Sequence, residues 1–186
     1  MRLLLLNGSP HKEGNTHTAL KILEGHLEEV GISYLRLHVG ATAIGCLGCG
    51  GCKETGKCVV EDRVNLALSK ARECDGYVFA SPVHYGGVAG CMKGFLDRFF
   101  RAGRGIHIGK CASALVVARR AGGVSAYEEL LRYLPLFSMV SVGGDYWNIL
   151  YGTTPEEILG DVEGIRHLRA LATSLAAYGE KTHPKP

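Results

Sequence analysis

No stretch of this sequence stays apolar for long. The run "LLLL" at 3–6 and "SALVVA" at 113–118 fall far short of the roughly 20 residues a membrane helix needs, and "MRLLLLNGSP" is too short and continues wrongly for a signal peptide. The expectation is a cytoplasmic protein without a membrane partner. Charge of one sign is also missing. Against 21 Lys and Arg stand 18 Asp and Glu, and the basic residues are scattered, which argues against nucleic acid. Repeats, linkers and low-complexity runs are absent, so residues 1–186 read as a single domain. What the chain has in quantity is glycine, 26 residues of it, and cysteine, with four of its seven in residues 46–58.

The patterning alternates short buried strands with amphipathic helices. Arg2 to Leu6 is an apolar run stopped by "NGSP", and Asn15 to Val30 carries Leu20, Leu23, Leu27 and Val30 at helical spacing before Gly31. Ile32 to His38 alternates as a strand near a sheet edge does. Further along, 62–72 and 89–102 read as helices, and 75–80 and 111–118 as buried strands. A helix over 124–137 has to accommodate Pro135, and a short strand covers 139–142. Residues 143–154 read as a loop, and a closing helix starts at Pro155 and runs to about Tyr178. This βα rhythm predicts an α/β three-layer sandwich around a five-stranded parallel sheet with right-handed crossovers; a strand order of 2-1-3-4-5 would set the loops after strands one and three side by side. Ligands of such sheets bind beyond the carboxyl ends of the strands, where all the glycine-rich stretches, 45–58 included, are expected.

The loop "GSPHKEGNT" joins a buried strand to a helix amino terminus, a place that favours an anion. It has neither the lysine of a nucleotide P-loop nor the dinucleotide glycine spacing, so a phosphate monoester held by Ser9, Asn15, Thr16 and possible helpers Thr18, His11 and Lys12 fits better. The plainer alternative is an Asn/Thr helix cap after a Ser-Pro turn. "SPVHYGGVAG" offers exposed backbone and two ring side chains to a flat heterocycle, and in the expected strand order it neighbours the first loop. "ARRAGG" closes the far side, where Arg119 or Arg120 could stabilise negative charge on a reduced ring or lie on a solvated turn.

Cys46, Cys49, Cys52 and Cys58 are separated by two, two and five residues. Short spacings of this kind let successive thiolates reach different irons of one cubane, with Gly56 allowing the last to fold back. Four-cysteine zinc sites more often pair two knuckles across a longer loop. A glycine-rich loop of free thiols is the third possibility. Cys74, Cys91 and Cys111 sit alone in apolar surroundings as ordinary buried residues.

"GSPHKEGNTHTAL", "SPVHYGGVAGCMKGFLDR" and the glycine pair 122–123 resemble the FMN-binding motifs of the flavodoxin-like NAD(P)H-dependent FMN reductases, and the four clustered cysteines resemble the compact motif of the iron-sulfur flavoproteins. The resemblance runs through nearly the whole chain and thins after residue 145. It implies FMN phosphate at Ser9, Pro10, Asn15 and Thr16, with His11 standing where many relatives carry Arg. It implies ring contacts along Pro82, Val83, His84, Tyr85, Gly86 and Gly87 and near Arg119, Gly122 and Gly123. It also implies a [4Fe-4S] cluster on Cys46, Cys49, Cys52 and Cys58. The expected activity is FMN-dependent electron transfer from NAD(P)H or a ferredoxin-like donor to a partner protein or small-molecule acceptor, with no acid-base pair required. A flavin or quinone reductase without a cluster is the alternative. A homodimer or homotetramer is expected, since the cysteine loop after strand two need not meet the flavin of its own chain. A phosphatase or phospho-receiver fits poorly, because the first loop has neither a Cys with a following Arg nor an acidic pair.

Overall fold

The computed structural model of the chain describes residues 1–42 and 44–182. Strands β1 (Arg2–Asn7), β2 (Ser33–His38), β3 (Gly76–His84) and β5 (Cys111–Ala118) form the parallel centre of the sheet, in the order β2-β1-β3-β5. The fifth position is shared by β6 (Val140–Ser141) and β7 (Ile149–Tyr151), both parallel to β5. A two-residue strand, β4 (Gly87–Val88), turns back on the end of β3 as a hairpin. The expected flavodoxin-like strand order therefore holds, with the seven strands among the described residues occupying five positions and a hairpin tip.

Side chains of a strand alternate between faces, and here the alternation divides the core in two. Leu4 and Leu6 of β1 join Tyr77 and Phe79 of β3 against α3 (Arg63–Ala71), α4 (Gly90–Ala102) and α5 (Gly123–Leu131). Leu3 and Leu5 join Val78 and Ala80 against α1 (Asn15–Glu29), α6 (Pro155–Gly160) and α7 (Val162–Thr182). The apolar stripe Phe95, Leu96, Phe99 and Phe100 of α4 is spent on the first of these cores rather than offered to a partner. On the outer side of α4, Lys93 and Asp97, one turn apart, form an ion pair at 2.6 Å.

Three of the differences from the sequence reading lie beyond β5. The helix expected over 124–137 stops at Leu131, and Pro135, lacking an N–H, opens a separate 3-10 turn, Pro135–Phe137. The stretch read as a loop after residue 142 contains β7, whose two buried residues fill the gap beside β5. The closing helix breaks at Asp161, whose carboxylate accepts from Gly164 N at 2.9 Å and from Tyr151 N at 2.7 Å, starting α7 and fastening it to β7. Pro155 does occupy the first turn of α6, behind the Thr154 cap.

Candidate functional site

At the carboxyl ends of β1, β3 and β5 three loops meet. The first leaves β1 at Asn7, whose side chain accepts from Ser9 N at 3.1 Å and donates to Lys12 O at 3.3 Å. Gly8 lies so close to its neighbours that a Cβ there would stand 2.5 Å from Met92 Sδ and 2.7 Å from Ala80 O. His38 Nε2 donates to Ser9 O at 2.8 Å, anchoring the loop from the side. Ser9 Oγ accepts from His11 N at 3.1 Å, while the side chains of His11 and Lys12 are exposed.

The loop ends at a helix terminus left open. Gly14 caps α1 without a side-chain acceptor, and the buried Thr16 Oγ1 has no hydrogen-bond partner. An orphan hydroxyl at a helix amino terminus is costly unless a ligand completes it, and a phosphate is the natural completion. Asn15, expected as a phosphate donor, instead gives its amide to Gly152 O at 3.2 Å and ties the loop to the end of β7. One amide hydrogen remains for a ligand.

The second loop is the β3–β4 hairpin. Tyr85 (φ 50°) and Gly86 (φ 81°) both take left-handed backbone, which a two-residue hairpin turn with the right twist requires. The tyrosine side chain at this strained position is wholly exposed. Glu129 holds the returning strand by accepting from Val88 N at 3.0 Å. Of the predicted ring-contact residues, His84, Tyr85 and Gly86 are exposed and Pro82, Val83 and Gly87 half-buried.

The third loop reaches the hairpin through Gly122. Its φ is 85°, and a Cβ there would stand 2.9 Å from Gly86 Cα and 3.2 Å from Val83 Cγ1, so glycine alone permits the contact. Arg119 and Arg120 are exposed, and with Val83, Tyr85, Gly86 and Ala121 they line an open cleft of about 260 Å³. Gly123 is buried against Ile149 of β7. Tyr146 and Trp147, in the β6–β7 loop, stay partly exposed, with Tyr146 stacked on His167, 5.2 Å between ring centres.

The cysteine loop does not stay at this edge, contrary to expectation. From β2 it passes over α4 where Gly94 lacks a side chain; a Cβ there would stand 2.9 Å from Ile44 O. It then follows α4 towards its carboxyl end, where Cys52 Sγ lies 4.0 Å from Arg101 O and the Gly56 turn comes near Ala102 O. Because a crossover helix runs opposite to its strands, this end lies towards the strands' amino ends. Cys46, Cys49, Cys52 and Cys58 all line one cavity, closed behind by Arg98, Arg101 and Ala102. Cys46 and Cys49 are exposed and the other two half-buried, and among the described residues no three ligands are gathered in a metal-binding group.

Arg98 is the residue the sequence reading missed. It is 4% exposed, and its guanidinium donates to Ile44 O at 2.9 Å, to Asp62 Oδ2 at 2.6 Å and to Cys58 Sγ at 3.8 Å, clasping both ends of the loop. Burial opposes its charge, yet the hydrogen bonds to Asp62 and Cys58 hold its pKa above the ordinary arginine value. Asn65 adds a second clasp on Cys58, accepting from its N–H at 2.8 Å and donating to its carbonyl at 2.9 Å. Elsewhere burial raises the pKa of Cys74, Cys91 and Cys111, the last to about 11, as inert core thiols require.

A family model described as NADPH-dependent FMN reductase matches residues 1–154, the part that carries all three loops. The chain belongs to that family. Among its relatives, an iron-sulfur flavoprotein of Methanocaldococcus jannaschii is 30% identical over 95% of this chain and 96% of its own. Another, from Archaeoglobus fulgidus, is 32% identical over 100% of this chain and 84% of its own. In fold, the chain resembles a flavoenzyme NAD(P)H:acceptor oxidoreductase from Paracoccus denitrificans at TM-score 0.74 and 17% identity, covering 97% of both chains. The protein is thus an FMN-dependent oxidoreductase of flavodoxin-like fold. The residues present fit the cofactor of this family: the open α1 terminus and the orphan Thr16 hydroxyl suit its phosphate, and the Gly86–Gly122 contact leaves two backbones free beside a ring.

Proposed function

We propose that this FMN reductase family member is an iron-sulfur flavoprotein, in which Cys46, Cys49, Cys52 and Cys58 hold a [4Fe-4S] cluster that exchanges electrons with FMN. The observation that carries the reading is the common cavity of the four thiols on α4, the helix whose other end packs against the phosphate loop. Met92 touches Gly8, and Arg98 and Arg101 back the cysteine cavity; at about 1.5 Å of rise per residue the two places lie roughly 9–14 Å apart along the helix axis. FMN supplies the step between two-electron hydride chemistry and one-electron transfer. The chain's own residues hold and orient. Ser9, the Asn15 amide and the Thr16 hydroxyl bind the phosphate, Tyr85 and the Gly86 and Gly122 backbones flank the ring, and Arg119 or Arg120 supports negative charge on it. Arg98 donates to Cys58 Sγ and fixes it at the wall of the cavity.

NAD(P)H and a ferredoxin-like carrier are both suitable donors under this reading. A reductase without a cluster is the second reading, favoured by the absence of converged metal ligands among the described residues. Protein prepared without oxygen separates them. Iron, sulfide and flavin are quantified, and absorption and EPR spectra are taken before and after dithionite. Four irons per chain and a dithionite-reduced EPR signal that disappears in Cys49→Ser, with FMN retained, support the cluster; a yellow protein with four titratable loop thiols sinks it.

A further inference from the structure

Beside the cysteine cavity, on the far side of α2 (Cys52–Thr55), runs a groove of about 680 Å³. Its walls carry Lys53, Arg72, Arg101 and Arg104 against the single carboxylate of Glu54. All four cations are exposed, and among the described residues none has an ion-pair or side-chain hydrogen-bond partner. They come from three separate parts of the chain: the cysteine loop, the end of α3, and the end of α4 with the turn after it. Leu136, 77% exposed, stands on the same wall as an apolar contact point. In a chain of formal charge +3, this gathering of unneutralised cations is a local field, and a field of one sign around an apolar contact suits a partner surface of the opposite sign.

The neighbouring chemistry decides what kind of partner. Cys52 lies in the wall of both the groove and the cysteine cavity. A cluster there accepts one electron at a time and cannot accept a hydride, so a nicotinamide has no reaction to perform in this groove; it has to meet the flavin at the other end of α4. We infer that the groove lined by Lys53, Arg72, Arg101 and Arg104 is the docking surface for an acidic one-electron carrier protein, which delivers electrons beside Cys52. The inference rests on the cluster reading above for its redox consequence, but not for the binding itself. Each docking event passes one electron from the reduced carrier to the oxidised cluster. Two events, with two protons from solvent, balance the full reduction of one FMN.

The test uses a small acidic two-[4Fe-4S] ferredoxin of the bacterial type as the probe. Its affinity for the whole protein is measured by calorimetry at low and high salt, and its rate of electron delivery by anaerobic stopped flow. Arg72→Glu/Arg104→Glu, which leaves the cysteine cavity and the flavin loops untouched, is expected to weaken binding and slow delivery at least tenfold at low ionic strength. The difference should vanish in about 1 M salt, where the screening length falls to roughly 3 Å. Reduction by dithionite stays unchanged. Should that variant fold poorly, as judged by circular dichroism and FMN content, Arg72→Gln/Arg104→Gln is expected to show a smaller loss of the same salt dependence. Equal affinities and rates for wild type and variant overturn the inference. So does loss of self-association in the variant, which would mean a second copy covers the groove, or a rise in KM for NADPH alone. Protein that holds no iron even when prepared and reconstituted without oxygen, yet binds the ferredoxin through these arginines, would sink the cluster reading and leave the docking surface standing.

Discussion

His107 ties the acid stability of this protein to one ring. It is fully buried between Phe99 and Phe100, whose ring centres lie 4.7 and 4.8 Å away, and it bridges strand and helix. Nε2 donates to Phe99 O at 3.1 Å, so Nδ1 is left to accept from the Tyr77 hydroxyl, also at 3.1 Å. Burial disfavours the imidazolium and lowers the pKa from 6.5 to about 4; the bond to Phe99 opposes this, and the charge of Lys110 adds to it. The sign follows directly. Below its ordinary pKa the unfolded chain takes up a proton at this ring, whereas the folded chain refuses one until about pH 4, so acid favours unfolding throughout that window. A difference of roughly 2.5 pH units at about 1.36 kcal/mol per unit gives a loss near 3 kcal/mol as pH falls from about 7 to 4. That is a large share of the roughly 5–15 kcal/mol that holds a domain together. Denaturant unfolding of the wild type and of His107→Gln across this range isolates the contribution. The variant is expected to be less stable at neutral pH but to lose about 3 kcal/mol less on acidification. Parallel pH profiles for the two proteins would refute the reasoning.

Thr16→Val removes a hydroxyl that has no partner in the free protein, so stability without FMN is expected to hold or rise, while FMN affinity falls about 10- to 100-fold, as loss of a hydrogen bond to a charged group predicts. Fluorescence titration with FMN and thermal melts of the FMN-free protein read the two effects separately. Gly122→Ala places a Cβ against the Gly86 backbone in a left-handed conformation, at a cost of about 1–2 kcal/mol for the backbone alone; FMN binding should weaken tenfold or more with the fold retained by circular dichroism. Arg98→Met removes the ion pair of the partly buried Asp62, which keeps only its bond to Val64 N, and frees the Ile44 end of the cysteine loop while Asn65 still holds Cys58. A loss of about 3 kcal/mol in denaturant unfolding is expected, and iron content after reconstitution should fall while FMN content is kept.

The sheet was legible because β1, β3 and β5 are buried on both faces and therefore read as unbroken apolar runs between glycine or proline signals. The three loops at the carboxyl ends of these strands were legible for the same reason, since each follows such a run directly. β7 was hidden, because "NILY" is short and sits among residues that read as a turn, and its burial comes from Ile149 and Leu150 meeting β5 at a distance in sequence. The path of the cysteine loop was hidden as well. Spacing identified the four thiols as a set, but their placement on α4 depends on Gly94 and Arg98, 36 to 52 residues further along the chain, and nothing local marks either as a docking point. In "GCMKGFLDRFF" the arginine reads as one more exposed polar position between aromatic residues.

The interrupted last strand has its own meaning for how this fold can change. β6 is registered on Cys111 and Ala112 and β7 on Val116 to Ala118, each half independently of the other. Between them Asn148 bridges the gap, donating from its side chain to Ala114 O at 3.1 Å and accepting through its main-chain carbonyl from Val116 N at 2.9 Å. The segment ahead of Asn148 is therefore a joint in the molecule: the register on either side of it is set separately, and Gly144 and Asp145 pin the joint itself to α7. A change on the solvent side of that joint, at Tyr146 or Trp147, can therefore reshape the neighbouring cleft while the strands on either side keep their pairing with β5.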